Sequence, residues 1–253
     1  MRTLAIIDTD GHLNAAAWEQ TSPEDAFKRF TELIENDMNT CLAEEWVGAI
    51  GGPDNFRETV HDGYKASVSR EASRSRRPEW FNDLKRMISE LDEVSVADNC
   101  EADDLITDWA TQAAAHGQPY VLVSKDKDLL SVPGPALNQG AVKYFGAPGP
   151  LYLVSEQEAF WFTCFQLLAG DSTDGIPGIP GVGPVKAKAF LQFRSPWAQA
   201  RSVLKVYEDT YKDKARSMFL SNGKMLHMRR HATDWFTVES FLSRAAYVNA
   251  HES

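Results

Sequence analysis

Nine acidic residues in four short clusters have the spacing to do phosphate chemistry: Asp8 and Asp10 in IIDTDGHL, Glu101, Asp103 and Asp104 in CEADDLI, Asp126 and Asp128 in VSKDKDLL, and Asp171 and Asp174 in GDSTDG. An apolar run that ends in two aspartates one residue apart fits two chemistries. Asp8 could be a phosphatase nucleophile with Asp10 as its acid, or the first ligand of a metal cluster. Taken singly, each cluster has a structural explanation: acids in the first turn of a helix complement its dipole, which covers EADD, and KDKD and GDSTDG read as turns. Brought together, so many carboxylates would repel one another and resist ionisation without cations. Hard oxygen ligands of this kind suit Mg²⁺ or Mn²⁺. Two such ions about 4 Å apart can hold a phosphodiester, ionise a water and stabilise the leaving oxygen.

The elements that must position these residues alternate along the chain. Apolar runs at 4–7, 46–50, 94–97 and 120–124 are separated by amphipathic stretches, with helices expected over about 23–42, 78–91 and 101–116. Short strands spaced by helices imply βαβ units and a mainly parallel sheet flanked by helices, in which sites form beyond the carboxyl ends of the strands. Asp8, Asp98 and Asp126 each fall just after an expected strand. Ser155 and Glu158 form an S-x-x-E capping box for a helix reaching about Ala169, after which GDSTDGIPGIPGVGPVKAKAFLQF leads into further helices. The expected division is an α/β core over 1–154, with a basic arch at about 62–92, and a helical region over 155–253. That boundary is soft, because Asp171 and Asp174 return to the site.

Composition bounds the partners. The chain has 253 residues and a net charge of −10, which by itself opposes nucleic-acid binding. The charge is unevenly placed. From Lys65 to Arg86 there are seven basic residues against three acids, and from Gly175 to Tyr207 there are five basic residues and no acid. The segment 62–77 is rich in Ser and Arg and poor in large apolar residues, so it should lie outside the core as a surface loop or as a basic element that orders on a phosphate backbone. Three well-separated cysteines, and a His227/His231 pair with no accompanying carboxylate, argue against disulfides and zinc. No signal peptide or membrane span is apparent, and a cytoplasmic monomer is the expectation.

Two families share parts of this pattern. IIDTDG, Ser124, Lys127 or Lys143, and GDSTD resemble the haloacid-dehalogenase-like phosphatases, but that resemblance leaves EADD, KDKD and the Gly/Pro segment unexplained. Over nearly the whole chain the sequence resembles the flap endonucleases and 5′-to-3′ exonucleases, the bacteriophage proteins and the nuclease domain of bacterial DNA polymerase I. The motifs that carry it are, in order, the strand ending in Asp8, NFR at Asn55 to Arg57 followed by Tyr64 and Lys65, EADDLI, VSKDKDLL, and GDSTDGIPGIPGVGPVKAKAFL.

That resemblance implies a PIN/Rossmann-like core with a helical arch, and a C-terminal region containing a helix-hairpin-helix, or helix-three-turn-helix, at about 175–193. It implies that Asp8, Glu101, Asp103, Asp104, Asp126, Asp128, Asp171 and Asp174 bind two divalent ions, directly or through water. Lys65 would orient the scissile phosphate, with Asp8 and Asp126 beside it in catalysis. Arg57, Tyr64, Lys65 and Arg70 would contact DNA from the arch side, and Gly181, Gly183, Lys186 and Lys188 would hold the duplex backbone with a bound K⁺. Glycines there permit close backbone approach and the lysines add charge. The substrate implied is DNA with a 5′ flap, 5′ end or branch, and RNA primer strands in replication. The family commonly has an arginine three residues after the lysine, where this chain has Val68, with Arg70 as candidate substitute. Three rivals stand beside this reading: a phosphatase with Asp8 as nucleophile, a catalytically silent flap-binding module, and a PIN-like ribonuclease.

Overall fold

The computed structural model describes residues 1–61, 64–65 and 68–251, without the side chains of residues 68–70 and 73. The chain opens on β1 (Leu4–Asp8), α1 (Thr9–Ala17), α2 (Pro23–Cys41) and β2 (Glu45–Ile50). Then come α3 (Arg57–Val60), α4 (Val68–Ser75), α5 (Phe81–Ser89), β3 (Val94–Val96), α6 (Ala102–Ala115) and β4 (Tyr120–Val123). After a 3₁₀ turn at Lys127–Ser131 follow β5 (Gly134–Leu137), α7 (Gln139–Phe145), β6 (Leu151–Val154) and α8 (Glu156–Ala169). A short β7 (Gly170–Asp171) and β8 (Ile176–Pro177) precede α9 (Pro184–Leu191), α10 (Pro196–Tyr211), α11 (Ala215–Leu226) and α12 (Val238–Ala250).

The main sheet runs β3-β2-β1-β4-β5-β6, parallel throughout except for β6 against β5. β1 is central, pairing Ile7 with Gly48 on one side and with Val123 on the other. Burial on both faces explains its unbroken apolar run, with Ala5, Ile6 and Ile7 all fully buried. Because the chain runs from β1 through β2 to β3 on one side and then crosses to β4 on the other side of β1, a crevice opens beyond the carboxyl end of β1, beside Asp8.

The helix starts follow local capping chemistry. Ser22 accepts from Asp25 N (3.1 Å) with Pro23 at the first helical position, and Ser155 accepts from Glu158 N (3.1 Å) while Glu158 accepts from Ser155 N (2.9 Å). The β5–β6 pair was not anticipated. Pro135 in β5 and the shortness of both strands weaken the periodic signal, and their register depends on pairing with β4 and with each other.

From Glu156 onward the described chain is mainly helical, yet no seam divides it from the sheet. One apolar cluster joins Leu130, Ala136 and Val154 to Phe160, Phe219 and Phe241. Within 175–193 the α-helix is α9, preceded by turns and β8, and the helix before that turn region is α8, which packs against α9. Pro177 and Pro180 lack the amide protons a helix would need. Among the described residues no helix is long and apolar enough to cross a membrane.

Candidate active site

A cleft of about 450 Å³ opens at the carboxyl end of β1, lined among others by Asp8, Asp10, Glu101, Asp103 and Asp126, with Lys65, Lys85 and Lys125 on its walls. Asp8 is its floor. As N-cap of α1 its Oδ1 accepts from the amides of Asp10 (3.1 Å) and Gly11 (3.4 Å), while Oδ2 accepts from the Ser124 hydroxyl (2.8 Å) at the end of β4. Burial, with the neighbouring charges of Asp10 and Asp126, pushes the Asp8 carboxyl up to about 6 against the opposing Ser124 hydrogen bond. Ser124 also accepts from Asp126 N (2.8 Å), and Asp126 in turn caps the 3₁₀ turn through Asp128 N (2.9 Å), so one hydroxyl ties the Asp8 carboxylate to the backbone that carries Asp126. Recessed above them, Asp103 is raised well above the usual carboxylate range by burial and by Asp8, Asp126 and Glu101.

The opposite wall is held by a buried arginine. Arg57 is fully buried and grips Asp104 with two bonds (Nη1 to Oδ2 2.6 Å, Nη2 to Oδ1 2.9 Å), while also donating to the carbonyls of Met225 (3.1 Å) and His227 (2.7 Å). Asp104 further accepts from Arg229 N (3.0 Å), and although burial would raise it, Arg57 holds its carboxyl below the usual range. Arg57, expected to contact DNA, has no exposed surface, and both oxygens of Asp104, expected to bind an ion directly or through water, accept hydrogen bonds; the pair fastens the EADD turn to the loop after α11. Tyr64, expected at the DNA surface, is likewise buried, its hydroxyl donating to Glu101 Oε2 (3.0 Å).

Glu101 is the junction of this wall. It accepts from Asn55 Nδ2 (2.9 Å), Tyr64 and the Lys65 ammonium, and burial is outweighed by Arg57 and Lys65, which keep its carboxyl low. Lys65 is fixed at both ends. Its backbone sits at φ 54° with its amide on the Asp174 carbonyl (2.8 Å), and its ammonium reaches the cleft through Glu101. The side chain of Arg70 lies outside the described residues.

A second acidic group lies deeper. Lys127 bridges Asp128 (3.0 Å) and Asp171, and Gln166 Nε2 donates to Asp128 Oδ1 (2.7 Å). Burial, with Asp126 and Asp171, pushes the Asp128 carboxyl up to about 7 despite Lys127. Asp171, Asp174 and Asp128 are buried and lie outside the lining of the first cleft. Asp10 uses Oδ2 to accept from Gly51 N (2.9 Å), pinning the loop after β2, and Asp98 is exposed away from the cleft. Asn55 and Gln166 had no individual sequence signal, since their partners Glu101 and Asp128 are remote in the chain.

The donor set fits hard divalent cations: it is all carboxylate oxygen, and three of its members, Asp8, Asp103 and Asp128, are driven toward protonation by burial and by the carboxylates beside them. Among the described residues no three such side chains already close around one point, and Lys65 and Lys127 occupy the carboxylates nearest them. Asp8, Asp103 and Asp126 are the residues that would hold an ion in the open cleft.

Beyond the cleft, Gly181 (φ 76°) and Gly183 stand exposed at the turn before α9, with no atom within 4 Å of where a Cβ would project. Lys186 is exposed and donates to the Gly181 carbonyl (2.8 Å), while Lys188 rests over the Tyr144 ring (5.2 Å).

Known proteins are similar to this chain over much of its length. The family model of the 5′-3′ exonuclease N-terminal resolvase-like domain matches residues 11–141. DNA polymerase I of Rhizobium leguminosarum is 28% identical over 192 residues, 69% of this chain and 17% of the polymerase. Flap endonuclease Xni of Shewanella amazonensis is 31% identical over 168 residues, 64% of this chain and 62% of that protein. The chain thus spans less than two thirds of either relative's length. The T5 D15 protein co-crystallised with metal ions superposes with a TM-score of 0.67 at 13% identity, covering 98% of this chain and all of that one. The bacteriophage T5 D15 flap endonuclease in complex with DNA and metal ions gives 0.66 at 14%, covering 99% of this chain. Identities this low carry the fold alone. The matched region contains the strand-end acids from Glu101 to Asp128 and reaches back to the residues after Asp8, and on that match the chain belongs to the 5′-3′ exonuclease family that includes the flap endonucleases.

Proposed function

We propose that the protein is a divalent-metal-dependent 5′ nuclease that hydrolyses phosphodiester bonds of DNA at 5′ ends, flaps or branches. The observation that carries this reading is the cleft itself: Asp8, Glu101, Asp103 and Asp126 share one cavity with Lys65, Lys85, Arg74 and Arg77, so acids and bases line the same space. Such a cavity suits a phosphate that arrives with cations on one side and ammonium or guanidinium groups on the other. Mg²⁺ or Mn²⁺, when bound, supplies the charge that polarises the phosphate and acidifies an attacking water.

The residues of the chain do the rest. Ser124 ties the Asp8 carboxylate to the backbone that carries Asp126, so the carboxylates need not reorganise when cations arrive. Lys65, rigid at its backbone, can transfer its ammonium from Glu101 to a phosphate oxygen when substrate enters. Arg57 and Asp104 keep the EADD turn in register. The exposed turn at Gly181 and Gly183, with Lys186 and Lys188, is placed to hold the duplex backbone, and K⁺ at this turn is part of the proposal.

A duplex with a labelled 5′ flap, incubated with Mg²⁺ or with EDTA, tests the reading beside an Asp126→Asn variant, which keeps the cap. Products near the junction that require both the metal and Asp126 are expected. Equal cleavage in EDTA, or by the variant, removes the proposal. The phosphatase alternative predicts trapping of Asp8 by a metal fluoride; both Asp8 oxygens already accept hydrogen bonds, which favours a ligand over a nucleophile.

A further inference from the structure

Two adjoining cavities, an inner one of about 190 Å³ and an outer one of about 470 Å³, share Glu156, Arg230 and Arg244, and neither shares a lining residue with the catalytic cleft. The inner one reaches Tyr120 at the amino end of β4, the opposite end of that strand from Ser124. Its other walls include Thr107 and Thr111 of α6 and His227 of the loop after α11. Arg244 of α12 is the residue whose state asks for a ligand. Its side chain is only 18% exposed, yet one hydrogen bond holds it, from Nη2 to the Ser131 carbonyl (3.0 Å), and Glu156 stands 3.9 Å away. Most N–H donors of its guanidinium therefore have no protein acceptor among the described residues. Burial works against its charge; Glu156 offsets this in part and Arg230 adds repulsion, which leaves the guanidinium below the usual arginine range.

Further donors converge on the same space. Arg230 gives Nε (2.8 Å) and Nη2 (3.2 Å) to Asp234 and keeps Nη1. Burial and the Glu156 carboxylate push the Tyr120 hydroxyl up, so it stays protonated and able to donate. Glu156, the single acid lining either cavity, is half-exposed and can swing into water when an anion enters. The outer cavity adds Ser240, Ser243 and Tyr247, whose ring is 54% exposed and packs on His251 with 4.3 Å between centroids.

Guanidinium and hydroxyl donors around a small cavity suit a phosphate group, whose oxygens accept from both and carry the opposite charge. An open aromatic ring beside them suits a base. We propose that the paired cavities are a mononucleotide site: Arg244, Arg230 and Tyr120 take the phosphate, and Tyr247 takes the base. The inner cavity has room for one phosphate group and not for a chain of them, so the ligand is a small molecule and not a strand. Occupation would tie α12 to the loop after α11, the loop that holds Arg57 and Asp104 through the His227 carbonyl and the Arg229 amide. The site stands apart from the nuclease reading, since neither DNA nor a metal enters it.

Calorimetric titration in EDTA, with thymidine 5′-monophosphate, inorganic phosphate and thymidine as probes, tests the site. The monophosphate should bind at least about fivefold more tightly than inorganic phosphate, through stacking, and thymidine should bind more weakly than the monophosphate for want of charge. Tyr247→Ala should bring the monophosphate down to the affinity of inorganic phosphate. Equal affinity of the two in the wild type, or no binding of either, overturns the proposal.

Two charge variants should move in opposite directions. Arg244→Gln should weaken monophosphate binding at least about tenfold, the loss of a charge-assisted contact. Glu156→Gln should tighten it about threefold by removing a like charge. Opposite signs from one cavity separate anion recognition from a general loss of structure, and Glu156→Gln with Tyr247→Ala still decides the question if Arg244→Gln does not fold. Unchanged binding in Arg244→Gln, or weaker binding in Glu156→Gln, refutes the assignment. Lys65→Ala controls for the catalytic cleft: monophosphate binding lost there and kept in Arg244→Gln belongs to the cleft and overturns the second site. Should the protein cleave no DNA, the nuclease reading falls while these titrations still stand.

Discussion

The buried pair of Arg57 and Asp104 should dominate the stability of the site's outer wall, and the cost of breaking it can be worked from its contacts. Arg57→Met removes two bonds to Asp104 and the bonds to the Met225 and His227 carbonyls, while leaving Asp104 with the amides of Arg229 and Glu101 and with the Arg229 guanidinium at 3.7 Å. Breaking a buried pair costs about 3–5 kcal/mol when the charge left behind has no other partner, and Arg229 brings the cost toward the lower end. Each orphaned carbonyl adds roughly 1 kcal/mol or more unless water reaches it. The single variant should therefore lose at least about 4 kcal/mol, a large share of the 5–15 kcal/mol typical of a folded domain. Asp104→Leu alone should also cost several kcal/mol, because it leaves the guanidinium buried with weaker company from Glu101 at 3.4 Å.

The double variant, with neither charge, should be less destabilised than the sum of the two by about 2 kcal/mol or more. Urea unfolding followed by circular dichroism, in EDTA so that ion binding does not contribute, gives all three values. If Arg57→Met does not fold, Asp104→Leu against the double variant still reads the coupling as recovery of stability. Additivity within about 0.5 kcal/mol would refute the claim that this pair is a mutually dependent unit.

Lys65→Ala should lower turnover on flap DNA by about a hundredfold while changing affinity far less, because the role proposed for its ammonium is on the phosphate in the transition state; single-turnover rates beside filter-binding affinities separate the two, and an unchanged rate removes the role. In EDTA, the Asp8 carboxyl, pushed up to about 6, keeps its proton in the folded state after the unfolded chain has released one near pH 4. A folded value above the unfolded one makes stability fall as pH rises from about 4 to about 6, by roughly 3 kcal/mol at most for this group. Thermal midpoints over that window should decline in EDTA, less steeply in Asp8→Asn, and Mg²⁺ should reverse the decline; a slope indifferent to Asp8→Asn counts against the burial argument. Below about pH 4 the sign reverses, since Glu101 and Asp104 are held low and their stabilisation is lost on protonation. Gly170→Ala should cost at least about 2 kcal/mol by denaturant midpoint, because Gly170 has φ 70° and ψ −172° and an added Cβ would lie 2.3 Å from Gly178 N; a neutral effect would contradict the close approach.

Local sequence carried the fold class and the inventory of acids. The apolar run before Asp8, the S-x-x-E box at Ser155 and the alternation of strand and helix each depend on neighbours within a few residues. The structure has β1, β2, β3, β4 and α8 where those patterns put them, with β1 central and Asp8 at the crevice. The acids of Asp8, Glu101, Asp103 and Asp126 share a cleft because parallel strands deliver their carboxyl ends to one edge, a rule that operates on order alone.

Tertiary structure alone decided how those acids are used. Asp104 and Glu101 sit three residues apart in one motif, yet Asp104 is committed to an arginine 47 positions earlier, and Glu101 to Lys65, Tyr64 and Asn55. Burial of Arg57 depends on the loop after α11, which no pattern near NFR announces. The indole of Trp18 shares a cavity with Arg74, Arg76 and Arg77 only because the segment from α4 to α5 packs beside the end of α1. Charge type is written in the residue, whereas burial and pairing arise between residues far apart in the chain. The distinction between a ligand, a clamp and a binding surface is therefore made by packing.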